Sequence, residues 1–127
     1  MTGTQFRSAV IACAVLLAVT TTVRADEVPI VNGEHWTKSS EQVKKAYLVG
    51  VANILQIEAA YQGPNPPSDA QSLVPMAAKG LRGHTLDSVR SAVDSFYAAH
   101  PERLQRPVVE VIWYEVVVPG SAKAAAK

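Results

Sequence analysis

Cysteine is nearly absent: Cys13 is the only one in 127 residues, so no disulfide can form within the chain. Histidine is scarce too: His35, His84 and His100 are widely separated, and three histidines cannot by count alone make a zinc site of four protein ligands. Charge of neither sign dominates, with Lys+Arg 12 against Asp+Glu 11 and a formal net charge of +1. Binding to a polyphosphate backbone draws on clustered Lys and Arg that displace condensed counterions, so nucleic acid is excluded as an expected partner. Catalytic signatures are missing as well. No HExxH helix and no GxSxG elbow occurs, and the Gly80–Gly83 stretch GLRG is too short for a phosphate-cradling loop and lacks a following Lys-Ser/Thr pair. No cofactor or metal is therefore expected, and no catalytic residue.

One long uncharged run is present, Ser8 to Val19 (SAVIACAVLLAV), preceded by Arg7 and followed by small residues. That is the layout of a secretory signal peptide, with cleavage expected after Ala25. At about a dozen residues the run falls short of the roughly 20 needed to span a bilayer as a helix. The expectation is a signal peptide over 1–25, a helical domain over 26–120 and a disordered tail over 121–127. Residues 26–127 have lost Arg7 and Arg24, leaving net −1, and have lost Cys13. An exported protein, periplasmic or secreted, follows, with no stable membrane insertion once the leader is removed; an apolar core alone must hold it.

Within 26–120 the hydrophobic spacing predicts an all-α fold, a small bundle of about four helices. Residues 26–38 read as an irregular lead-in with Trp36 as its anchor. Ser39 with Gln42 fits a capping box, Ser40 being the alternative cap, and Val43, Tyr47, Gly50, Val51, Ile54, Leu55 and Tyr61 then recur at three- and four-residue steps. Gly50 in mid-helix sacrifices about 1 kcal/mol relative to Ala, which points to close approach of another helix there. The stretch GPNPPS at 63–68 makes a stiff connection. Ser68 with Gln71 introduces a short helix through about Met76 or Lys79, which tolerates Pro75 poorly and is ended by the Lys79-Gly80 and Arg82-Gly83 pairs. Thr85 caps a third helix with Leu86, Val89, Val93, Phe96 and Tyr97 inward, stopped by His100-Pro101.

Pro107 to Val118 has strand-forming composition but helical spacing, with Val109, Ile112, Trp113 and Val116 on one face. The helix is preferred, because a lone strand would leave its backbone unpaired. Pro119-Gly120 marks its expected stop.

The segments AYLVGVAN (Ala46 to Asn53) and LDSVRSAVDSFYAAHPERLQRPVVEVIWYEVV (Leu86 to Val117) resemble the Rap/Tai family of exported immunity proteins. The likeness rests on Tyr47, Gly50 and Val51, on the helix end His100-Pro101-Glu102-Arg103, and on Pro107 opening a last helix. What the resemblance implies is a small helical periplasmic protein that binds cell-wall amidase effectors delivered by type VI secretion. Family members carry cysteines that tie helices together, and residues 26–127 have none. The expected function is binding of another protein, inhibitor- or immunity-like, with Tyr61, Asn65 and Asp69 around the Pro-rich loop as partner-binding candidates. Two alternatives stand beside it. One is a periplasmic stress or chaperone-like protein, which should expose a contiguous apolar patch. The other is a small hydrolase using Glu58 with a histidine brought alongside by folding.

Overall fold

The computed structural model describes residues 28–69 and 71–126. The expected leader, with Cys13 and the cleavage position after Ala25, lies outside them. The described residues form an all-helical fold with no named strand; two chain segments meet only at an isolated bridge between Asn32 and Pro107.

The lead-in holds a helix that its sequence did not announce, α1 (Gly33–Thr37). The Asn32 side chain accepts from the Glu34 and His35 amides at 3.1 and 3.2 Å, and His35 Nδ1 accepts from the Asn32 amide at 3.4 Å. That reciprocal cap satisfies orphan donors of the first turn. A long-range bond, Glu34 N–H to the Leu104 carbonyl at 3.2 Å, then fixes the turn on the rest of the chain.

Helix α2 (Glu41–Gln62) is 22 residues long. Its cap is Ser40, whose Oγ accepts from the Val43 amide, while the Ser39 hydroxyl donates back to the His35 carbonyl at 2.7 Å. Ser39 thus closes α1 instead of opening α2. Gly63, at φ +65°, ends the helix in a conformation that side-chain-bearing residues rarely adopt. Helix α3 (Leu73–Gly80) is capped by Ser72, four residues later than the Ser68–Gln71 pair suggested. That pair does interact, the Ser68 amide donating to Gln71 Oε1 at 3.3 Å, but it shapes the loop. Pro75 falls in the first turn of α3, where its missing N–H has no helical partner to lose. Helix α4 (Leu86–Ala99) has its expected cap, Thr85 and Ser88 forming a reciprocal box, and of its expected face Val89, Val93, Phe96 and Tyr97 are buried while Leu86, at the first position, is exposed.

After a 3₁₀ turn at Pro101–Arg103, the last segment is helical, as its spacing predicted. It comprises α5 (Val108–Ile112), a π-helical turn (Trp113–Val117) and α6 (Val118–Ala125). Two expectations fail here. The buried face is Val108, Val111, Ile112, Val116 and Val117, whereas Val109 is 46% exposed. Steps of five, 111 to 116 and 112 to 117, stack on one face only when a π turn adds a residue to the winding. The helix also runs through the expected stop at Pro119-Gly120 and on to Ala125. The π turn explains the passage. The Val118 amide bonds back to the Trp113 carbonyl, and Pro119 enters at the first positions of α6, where a missing donor is tolerated.

Glycines set the crossing of α3 and α6. A β-carbon on Gly80 would lie 2.6 Å from Val117 Cα, and one on Gly120 would lie 2.9 Å from the Gly80 carbonyl carbon. Gly50, expected to serve such an approach, has nothing within 4 Å of a β-carbon.

Trp36 and Tyr97 are the largest fully buried side chains. The Trp36 indole donates to Asp94 Oδ1 at 2.8 Å, and Lys44 Nζ reaches the same oxygen at 2.8 Å. At the surface Lys45 meets Asp87 at 3.0 Å, and its hydrogen bond and charge hold the Asp87 carboxyl below the usual carboxylate range. Tyr97 donates to the Arg106 carbonyl at 2.7 Å, and burial pushes its phenol up to about 12. The unfolded phenol ionises near pH 10, so the contribution of the neutral native form is complete below that pH and is lost as pH rises toward 12. Denaturant titrations should show this component nearly flat from pH 9 to 10 and stability falling by about 1.4 kcal/mol per pH unit between pH 10 and 12. Tyr97→Phe should remove this component of the slope, at a pH-independent loss of about 1 kcal/mol from the unpaired Arg106 carbonyl.

Candidate functional site

Helix α2 carries no charged residue from Ala46 to Ile57, and a single face of it cannot hide that many apolar side chains. Leu48 is the one residue of α2 that is buried. Tyr47, Val51 and Leu55 are partly buried, while Ile54 is 68% and Ile57 57% exposed. The expected inward stripe is therefore half outward: Val43, Gly50, Ile54 and Tyr61 face away from the core.

The partly buried part of the stripe, Val51 and Leu55, lines a groove of about 510 Å³. Val109 and Trp113 of the last helical segment share the lining with these two, as do Ala77 of α3 and Val117. Leu73, at the start of α3, and Ile30, two residues into the described chain, also border it. Past Val51 and Val109 the concavity continues along α2 to Gly50 and Ile54. Burial in this region pushes the Tyr47 phenol upward from its ordinary value. One charged side chain lines the main groove, Glu110, and Arg106 Nε holds it at 2.9 Å. A charged ligand group entering would be desolvated with no free counter-charge to meet it. The arrangement suits an uncharged apolar segment.

Tyr61, Asn65 and Asp69 fall elsewhere. Tyr61 is 88% exposed at the end of α2, Asn65 lies in the exposed turn that follows, and Asp69 is held by Lys79, both carboxylate oxygens at 3.0 Å. They edge the Pro-rich loop and are not among the groove residues. Glu58 accepts from Gln62 Nε2 at 3.1 Å, a pairing within its own helix. The histidines are engaged separately: His35 in the α1 cap, His84 with Ser88 Oγ at 3.3 Å, and His100 with Glu102 at 3.4 Å. Folding thus brings no histidine into a hydrogen bond with Glu58 among the described residues. Nor do three metal-ligating side chains gather there, and none of their helices is long and apolar enough to cross a membrane.

Ile30, Leu73, Val109 and Trp113 were not singled out as binding residues from sequence. The signal was present in the uncharged run of α2, where Val49 and Ile57 lie off the inward stripe and predict apolar surface in excess of one face. No family model matches this sequence, and no curated protein and no solved structure matches it either.

Proposed function

We propose that this chain is an exported helical domain, periplasmic or secreted, that works by binding another protein of inhibitor or immunity type. The observation that carries this reading is the apolar groove between α2 and α5. Contiguous apolar surface at a concavity is a common mark of a protein interaction site. The occupant it fits is an uncharged apolar helix or strand end of the partner, since the only charge in the walls is already neutralised.

Site-specific photo-cross-linking in cells of the source organism tests this. A photoreactive residue at Ile54 or Val109 should give one discrete adduct of constant mass, and adding Leu55→Glu should abolish it. The same probe at Lys38 should give none. No adduct at either groove position, or an adduct containing only this chain, would overturn the reading. The exposed apolar surface equally favours the chaperone-like alternative, which differs in one readout: many clients would give a ladder of adducts and no single band.

A further inference from the structure

A second concavity, of about 500 Å³, lies between the end of α3 and α6 and shares no lining residue with the apolar groove. Its rim is cationic. Lys79 stands in the last turn of α3, Arg82 and His84 in the turn after it, and Lys123 in the last turn of α6. Glu115 is the one acid in the lining, and Arg106 Nη1 approaches it at 3.6 Å. Lys79 is shared with Asp69. Arg82 and Lys123 have no ion-pair partner among the described residues, and His84 engages Ser88 through Nδ1, leaving Nε2 for another contact.

Backbone geometry makes this convergence. Gly83, at φ +82°, reverses the chain after α3 and sets Arg82 and His84 on the two sides of the turn. The Gly80–Gly120 contact presses α6 onto α3, and Lys123 lies one helical turn beyond Gly120. Neutralising terminal carbonyls accounts for a cation at each helix end. It does not account for their convergence on one hollow floored by Val116, Pro119 and Ala124.

The geometry points to a binding site for a phosphate monoester carried on a small organic scaffold, such as a phosphosugar. Two uncompensated cations and the shared Lys79 match a dianion, Arg82 offering the paired N–H donors that phosphate oxygens accept. The apolar floor takes the carbon face of the scaffold. A hollow of this volume holds well over ten waters at about 30 Å³ each, far more than a bare phosphate fills. The site is independent of the groove and of the protein partner proposed above.

The phosphate could belong to a soluble ester or to a lipid headgroup, and titration of the purified full chain separates the two. Glucose 1-phosphate should bind saturably, shift the amide resonances of Arg82 and Lys123, and bind more tightly than inorganic phosphate, with glucose inert. Arg82→Ala and Lys123→Ala should each weaken binding about tenfold, the loss of one charge-assisted hydrogen bond, and Lys38→Ala should leave it unchanged. Circular dichroism checks that these exposed substitutions preserve the helices, and Arg82→Gln serves as a second variant. Vesicles of phosphatidic acid in phosphatidylcholine that bind the chain, and release it to glucose 1-phosphate, would place the ester on a lipid; failure of vesicles where glucose 1-phosphate binds would place it on a soluble ligand. The proposal is overturned if glucose 1-phosphate binds no better than glucose, or if the Arg82→Ala/Lys123→Ala pair binds it as the unsubstituted chain does.

Discussion

Substituting Gly80 by alanine is expected to destabilise the fold by about 2–3 kcal/mol, even though alanine is the better helix former by about 1 kcal/mol. The added carbon would meet Val117 Cα at 2.6 Å and its carbonyl carbon at 2.7 Å. Backbone atoms cannot rotate aside as a flexible side chain can. Relief therefore requires α3 and α6 to separate, and Ala77, buried on α3, and Val117, buried before α6, would lose packing together. Gly120→Ala should act in the same direction, because its added carbon meets the Gly80 carbonyl. Gly50→Ala should do the opposite. With open space around it, alanine recovers helix propensity unopposed, stabilising by roughly 0.5–1 kcal/mol. Urea unfolding followed by circular dichroism reads all three. A Gly80→Ala protein as stable as the parent, or a destabilised Gly50→Ala, would contradict the assignment of which glycine serves the helix crossing.

That reversal between Gly50 and Gly80 shows where sequence reading reaches its limit. Periodicity along one segment revealed α4, which buries a stripe of local spacing, and the helical state of α2 and 108–118, although α2 buries only Leu48 and 108–118 buries a face other than the expected one. Crossing glycines are defined by pairs. Gly80 and Gly120 lie forty residues apart, and nothing within either segment announces that they meet. The π turn is hidden for a related reason: five-residue steps look like noise until the core positions of Val111, Val116, Ile112 and Val117 are known. Helix α1 depends on the Leu104 carbonyl, again a distant group. The same division applies to the two concavities. The uncharged α2 run is visible in sequence, but its other wall is not, and Lys123 joins Lys79 and Arg82 only through the α3–α6 crossing.

Trp36 is the second place where a large effect is expected, because it links packing to a charge network. The indole is 1% exposed, its ring edge meets Tyr47 with centroids 6.1 Å apart, and Lys44 Nζ lies 5.5 Å from its centroid. Trp36→Ala should therefore remove about 4 kcal/mol through the cavity and the lost apolar burial, enough to unfold much of a marginally stable domain near its working temperature. Trp36→Phe keeps most of the packing and deletes the donor to Asp94. It should lose about 1–2 kcal/mol, since Asp94 retains Lys44 at 2.8 Å and partial access to water. Asp94→Ala leaves the buried indole N–H unpaired and strips Lys44, whose side chain is 14% exposed, of its counter-ion, so a loss of about 2–3 kcal/mol is expected. Combined, the Phe and Ala substitutions should fall short of additivity by about 1 kcal/mol, because the same hydrogen bond is removed in each. Trp113, half-buried in the last helical segment, remains as the fluorescence reporter for all of these variants. Full additivity would mean that Asp94 and the indole act separately, and that α1 is held to α4 by apolar packing alone.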